Sequence, residues 1–334
     1  MRIGLSYDLK EAIPVEQAGV DDAFEEYDSP ETVGLIAASL HAAGHSVVML
    51  GGGREFLENI SGEKVDFVFN IAEGRGNYRS REAQVPSILE MLNIPYSGSD
   101  PQCLTICLDK PLTKKLVAAA GVCTPKWRVI NTREELYHPD GGDFPFPAIV
   151  KLAHEGSSKG IRLTSVVEDS KQAIEVMESL MEKYHQPVML EEFIPGDEVT
   201  VGIIGNFPPR VLGVMRILPK RRDSYFVYSL EVKRNYLELV EYECPARLDP
   251  EVLQDLEAAG LNAFRALGCR DFARLDFRVS PQGVPHFLEI NPLPGLGVQS
   301  DLVIMAGARG LTHGGLIAGV LDAALERYPQ CVGV

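Results

Sequence analysis

Cys269 to Gly297 reads CRDFARLDFRVSPQGVPHFLEINPLPGLG, and the reading of this stretch decides the fold. In Phe272-Ala273-Arg274-Leu275-Asp276-Phe277-Arg278-Val279, small or apolar side chains alternate with Arg274, Asp276 and Arg278. That period of two is the signature of a strand with one polar face. Ser280-Pro281-Gln282-Gly283 supplies a turn and His286 to Asn291 a return strand, so the segment predicts a β-hairpin. Arg274 and Asp276 fall on one face of the first strand, Glu289 and Asn291 on one face of the second. A register that aligns them gathers Asp276, Glu289 and the Asn291 amide oxygen beside Arg274. Three hard oxygen donors suit Mg²⁺ carrying the phosphates of a nucleotide. An arginine beside them suits the charge that develops in acyl or phosphoryl transfer. A surface hairpin with a salt-bridged polar face explains the same alternation, and spacing alone leaves both readings open.

The remaining composition narrows the class. A chain of 334 residues can bury a large core and exceeds one typical domain. Its 45% hydrophobic and 24% charged content is that of a globular enzyme. A net charge of −15 argues against a general affinity for nucleic acid or an anionic membrane. No apolar run is long enough to span a bilayer, and the opening Met1-Arg2-Ile3-Gly4-Leu5-Ser6-Tyr7-Asp8 turns polar too soon for a signal peptide. The cysteines, at 103, 107, 123, 244, 269 and 331, form no Cys-x-x-Cys pair. They read as buried free thiols in a reducing cytoplasm rather than as a zinc site. There are no internal repeats and no low-complexity segments.

Residues 1 to about 100 read as β-α-β-α-β. Strands are expected over Arg2 to Tyr7, Val47 to Leu50 and Val65 to Ile71. Helices are expected over Pro30 to Ala43, capped by Asp28 or Ser29, and over Arg81 to Leu92. This alternation predicts a small doubly wound sheet with ligands beyond the strand ends, where Glu73 stands as a candidate for a substrate ammonium. A helix follows from Asp109 and Lys110 to Ala120, then a strand ending in Lys151. The small loop His154-Glu155-Gly156-Ser157-Ser158-Lys159-Gly160 can offer backbone N–H groups to phosphates or serve as a plain turn. Pro187 to Glu192 and Val199 to Ile204 are strands joined by an acidic, apolar linker of a kind that suits adenine and ribose. Strands continue over Arg210 to Ile217, Pro219 to Asp223 is a basic turn, and His313 to Tyr328 is an amphipathic terminal helix.

The order of these segments resembles the D-alanine–D-alanine ligases of the ATP-grasp superfamily. The resemblance rests on Ile94-Pro95-Tyr96-Ser97-Gly98-Ser99, Ala273-Arg274-Leu275-Asp276 and Leu288-Glu289-Ile290-Asn291-Pro292-Leu293-Pro294-Gly295, and it runs over almost the whole chain. It implies an α/β pre-ATP-grasp domain over residues 1–104, followed by an ATP-grasp fold whose two subdomains, 105–186 and 187–334, clamp ATP. Lys110 and Lys151 become phosphate-reaching lysines, although Lys110 taken alone reads as a solvated helix-start residue. Gly156, Ser157 and Ser158 become the loop over the phosphates, with Ser157 also positioning the first substrate. Glu191, Glu192 and Ile194 face adenine and Glu198 the ribose. Asp276, Glu289 and Asn291 bind two Mg²⁺ ions, for which Mn²⁺ substitutes. Arg274, Ser157 and Lys233 are the expected catalytic set, and Glu73, Arg234, Gly295, Ser300 and Asp301 the substrate set. The resemblance also implies a homodimer acting on small amino acids in the cytoplasm.

Three departures stand out. The ligases carry a Lys-Tyr pair where this chain has Lys233-Arg234. They carry a Glu after the first strand where this chain has Tyr7-Asp8-Leu9-Lys10, followed by an acidic segment from Asp21 to Asp28. Glu25, Glu26 and Asp28 are the candidate substitutes. Asp301, where the ligases usually have Leu, either selects an amine-bearing substrate or caps the helix that follows. The implied activity is ATP-dependent amide formation between two amino acids through an acyl phosphate. Three readings follow: a D-alanine–D-alanine ligase of peptidoglycan synthesis, a ligase for other amino acids, or a nucleotide-binding module without catalysis.

Overall fold

The computed structural model describes residues 1–12, 19–137, 143–221 and 225–331. Arg222 and Asp223 of the expected basic turn lie outside the described residues. The first sheet is parallel, in the order β2 (Ser46–Gly51), β1 (Arg2–Ser6), β3 (Phe67–Asn70). Alternation along the strands decides what each face meets. Ile3, Leu5, Phe67 and Phe69 pack on Val33, Ile36 and Leu40 of helix α1 (Pro30–Ala42). Leu50 and Val68 point the other way, onto Phe56 and Ile60 of α2 (Gly53–Gly62) and Val85 and Leu89 of α3 (Gln84–Met91). Helices on both faces confirm the doubly wound expectation. Ser29 is the N-cap of α1 and accepts from the Thr32 amide. The helix expected from Arg81 opens as a short 3₁₀ turn, Arg81–Ala83.

Two antiparallel sheets follow. The four-stranded one runs in the order β4 (Trp127–Ile130), β7 (Val188–Glu192), β5 (Ala148–Leu152), β6 (Val166–Val167). Residues 187 to 192, assigned by the expected boundary to the last unit, therefore pair inside this middle sheet. The five-stranded sheet runs β10 (Val240–Glu243), β9 (Arg210–Pro219), β8 (Asp197–Ile204), β11 (Phe272–Val279), β12 (Pro285–Asn291). One face of it, with Val199, Val201, Ile203, Leu275 and Phe277, packs on Leu256, Ala263 and Phe264 of the helix Pro250–Ala266. On the other face Gly202 and Gly213 pair across β8 and β9. Methyl groups there would stand 2.7 and 2.9 Å from Met305, so the helix Asp301–Ala308 can approach only bare backbone. Among the described residues no single helix is long and apolar enough to cross a membrane.

The chain's last turns are tied to the start of β11. Asp271 is fully buried with φ at +66°. It accepts from the Gly98 amide at 2.7 Å and from Asn206 at 3.0 Å, and pairs with Arg327 at 2.6 Å. Arg327 also donates to the Tyr96 carbonyl at 2.9 Å. Removing one partner of a buried pair leaves an uncompensated charge, so Arg327→Ala is expected to cost about 3 kcal/mol. Urea unfolding monitored by circular dichroism reads this directly; an unchanged midpoint would show Asp271 satisfied by its amide donors alone.

Candidate active site

The hairpin is in the register that the alternation requires. Arg274 lies opposite Asn291 and Asp276 opposite Glu289, with a bulge just beyond that makes Leu288 the extra residue. The Arg274 guanidinium reaches Asp276 at 2.9 Å, and Thr200 on the neighbouring strand donates to Asp276 at 3.1 Å. Asn291 Nδ2 donates to Asp276 at 3.3 Å. Burial lifts Asp276 to about 6 against the pull of Arg274. Burial also opposes ionisation of Glu289, yet Lys110 at 2.7 Å, with Lys151 and Arg274 nearby, holds it down at about 2. Two carboxylates and an amide oxygen on one strand pair form a hard donor set that fits a divalent cation.

These residues line a cavity of about 520 Å³ between the two antiparallel sheets. Lys110 and Lys151 line it as well. Lys110 is buried, not solvated: its amine donates to the Glu155 carbonyl and pairs with Glu289. It follows a helix absent from the sequence reading, α4 (Pro101–Leu108), and opens α5 (Lys110–Ala119), with Asp109 as the N-cap between them. Glu191 is fully buried and holds two lysines, Lys151 at 2.6 Å and Lys114 at 2.6 Å. Its carboxylate is thus engaged by lysines, and Lys114 is a partner the sequence did not reveal. Burial draws Lys114 down to about 8 despite that pairing. Glu198 accepts from the Tyr228 amide and pairs with Arg278 at 3.3 Å. Glu192 and Ile194 line the cavity as well, next to an apolar slot of Ile149, Ile161, Phe193 and Val227. The sequence does not show that slot, because its four members come from four separate stretches.

The loop Gly156, Ser157, Ser158 lines the same cavity, with both serines in the left-handed region at φ +53° and +58°. Lys233 points in from a short helix, Leu230–Arg234. Arg234 does not join it. Exposed, it pairs with Glu25 at 2.8 Å and donates to the Asp21 carbonyl at 2.8 Å, and it is absent from the cavity wall. The hydroxyls near Arg274 belong instead to Tyr228 and Tyr242, 2.6 Å apart and both lining the cavity. Gly295, Ser300 and Asp301 close the far end. Ser300 is the N-cap residue, so Asp301 is not the cap; it reaches Arg274 at 3.3 Å.

The acidic segment is a strap. Asp22 accepts from the Gly160 amide at 2.9 Å and from Tyr184. Glu26 pairs with Arg81 at 2.7 Å and Lys159 at 2.8 Å, while Arg81 also holds Glu155 at 2.9 Å. The strap thereby pins the loop of 154–160 to the first unit. Glu25 and Glu26 are engaged in these pairs. Among the described residues the Asp28 carboxylate has no hydrogen-bond or ion-pair partner, and Asp28, Glu73 and Glu82 all line the cavity. Burial, with Glu82 and Glu26 beside it, raises Glu73 well above the usual carboxylate range.

Comparison with known proteins agrees with this geometry. Residues 116–322 match the family model described as D-ala D-ala ligase C-terminus. An uncharacterised protein of Sinorhizobium fredii is 33% identical over 88% of this chain and 87% of its own length. A D-alanine–D-alanine ligase of Aquifex aeolicus is 32% identical over 88% of this chain and 94% of its own. A crystal structure of the D-alanine–D-alanine ligase of Bacillus anthracis complexed with ATP superposes with a TM-score of 0.74. There the identity is 24%, and the match covers 99% of each chain.

Burial, reinforced by Asp8, raises Asp28 to about 7. Below the ordinary carboxylate value the group is protonated in folded and unfolded chains alike and has no effect. As pH climbs from about 4 to 7, only the unfolded chain ionises readily, so Asp28 erodes stability, fully so above pH 7. Asp28→Asn is therefore expected to stabilise the protein at pH 8 and leave it unchanged near pH 3.5. Melting temperatures across that range test the sign; a variant less stable at pH 8 would mean a hidden partner for the carboxylate.

Proposed function

Because this chain belongs to the D-alanine–D-alanine ligase family of ATP-grasp enzymes, we propose that its cavity joins two amino acids by an amide bond at the expense of ATP, which leaves as ADP and phosphate. The observation that carries this reading is the hairpin set Arg274, Asp276, Glu289 and Asn291 lining one cavity together with Lys151 and with Lys110, which pairs with Glu289. The carboxylate of the first substrate attacks the γ-phosphorus of ATP, ADP departs and an acyl phosphate remains. The amine of the second substrate adds to the acyl carbon; the tetrahedral oxyanion collapses, phosphate leaves and the nitrogen gives up its proton.

Mg²⁺, held by Asp276, Glu289 and the Asn291 amide oxygen, supplies charge neutralisation at the β- and γ-phosphates when bound. Lys110 and Lys151 orient the phosphates, and the slot of Ile149, Phe193 and Val227 takes the adenine ring, with Glu198 toward the ribose. Arg274 donates to the acyl-phosphate oxygen and then to the oxyanion. The loop of 155–160, pinned by the strap, keeps water from the acyl phosphate. Asp28 and Glu73 receive the ammonium of the first substrate, and Ser300 with Gly295 borders the second.

D-alanine as both substrates, in the service of peptidoglycan synthesis, is the reading that follows the relatives' names. A different amino-acid pair is favoured by Asp301, a carboxylate 3.3 Å from Arg274 at the acceptor end. Free cysteines at all six positions accord with a reducing cytoplasm, and the family reading adds a homodimer, which sedimentation velocity tests.

Phosphate release from Mg-ATP, with D- and L-amino acids singly and in pairs and the product read by mass, tests the proposal. An ATP-induced thermal shift without release in any combination would leave only a nucleotide-binding module. Arg274→Ala is expected to lower turnover by about 10²–10³ while the ATP-induced thermal shift persists. Unchanged turnover would remove Arg274 from the mechanism.

A further inference from the structure

Three thiols meet in the core although Cys269 lies 166 residues from Cys103. Cys103 and Cys107 sit one helical turn apart on α4, so they share a face. Cys269 stands just ahead of β11. The Cys103 sulfur is 3.8 Å from that of Cys107 and 3.5 Å from that of Cys269, and all three sulfurs lie within 4.8 Å of one another. All three residues are buried and none is in a disulfide.

We propose that Cys103, Cys107 and Cys269 form a binding site for a single thiophilic d¹⁰ cation, Cu⁺ or Zn²⁺. Metal–sulfur bonds of about 2.3 Å in trigonal or tetrahedral ligation set sulfurs about 3.7–4.0 Å apart. The thiols already stand near that spacing, so ligation asks for shifts of side chains and not of backbone. The donors are all soft sulfur, which selects Cu⁺ and Zn²⁺ over the hard cation expected at the hairpin. Binding sends the ligating thiols' protons to solvent and moves no electrons. Cys103 is placed to give up its proton. It lies in the first turn of α4, whose N-cap is Asp100, and a helix N-terminus favours a thiolate. Its contacts with Cys107 and Cys269 hold its thiol well below the usual range.

Access and consequence follow from position. Cys107 lines the cavity, so an ion can reach the thiols from the active site. A bound ion would tie the helix that leads into Lys110 to the strand that carries Arg274. Packing alone, with the thiols acting as small apolar fillers, predicts no metal affinity.

The full reduced chain, handled anaerobically, is titrated with Cu⁺ against bathocuproine disulfonate and with Zn²⁺ against a chromophoric chelator. A single equivalent of either ion is expected to leave the chelator, with a thiolate-to-copper absorption band for Cu⁺ and a higher melting temperature for the loaded protein. Cys269→Ser and Cys103→Ser should lose the equivalent, whereas Cys123→Ser, on the exposed thiol, keeps it. Should the Cys269 variants not fold, the metal-dependent rise in melting temperature, present in the unsubstituted chain and absent in Cys107→Ala, decides. Failure of the unsubstituted chain to draw either ion from its chelator, or full retention of the ion by folded Cys269→Ser, would overturn the site.

Discussion

The arrangement depends on one buried cation, Arg81. Its guanidinium is all but inaccessible and holds both Glu26 of the strap and Glu155 of the 154–160 loop. Lys159 completes the ring by pairing with both carboxylates. Each of these charges would be costly in the core alone, and each is tolerable only because the others are in place. The ring therefore requires the 3₁₀ turn at residue 81, the strap and the loop to occupy one relative position. That position forms a wall of the cavity.

The same logic of charge pairing runs across the site. Glu191 is buried between Lys114 and Lys151, so burial and attraction oppose each other in the carboxylate and in Lys114, and the carboxylate is held below its usual range. Glu289 is kept ionised by Lys110, while Asp276 is pushed upward by burial despite Arg274. Neighbouring carboxylates whose environments drive them apart in this way belong to functional sites more often than to scaffolds. Against them, Asp28, Glu73 and Glu82 form a wall with little cationic compensation, a suitable surface for an ammonium.

The departures from the ligase pattern also have a physical account. Arg234 stands where the family has Tyr, but it engages the strap through Glu25 and Asp21, and the Tyr228–Tyr242 pair brings hydroxyls to the neighbourhood of Arg274. Asp301 adds a carboxylate to the cavity wall, 3.3 Å from Arg274.

The hairpin was legible from the sequence because strand periodicity is local. Alternation over Phe272 to Val279 and His286 to Asn291 fixes which side chains share a face, and the turn at Ser280 to Gly283 fixes the register. The three strands of the first hundred residues and the starts of α1 and α5 were legible for the same reason, whereas α2 between the second and third strands was not. What the sequence could not determine depends on contacts between distant segments. It gave no sign of α4 as a separate helix, of Lys114 as a partner of Glu191, or of β7 pairing within the middle sheet. It offered Glu25, Glu26 and Asp28 as equals, and only the placing of Arg234, Arg81 and Lys159 separates the engaged carboxylates from the unpaired one. It showed the cysteines as scattered, and only the packing of α4 against the entrance to β11 brings three of them together. Local chemistry sets the elements and the faces they present, whereas burial and charge compensation between remote segments decide which side chains meet.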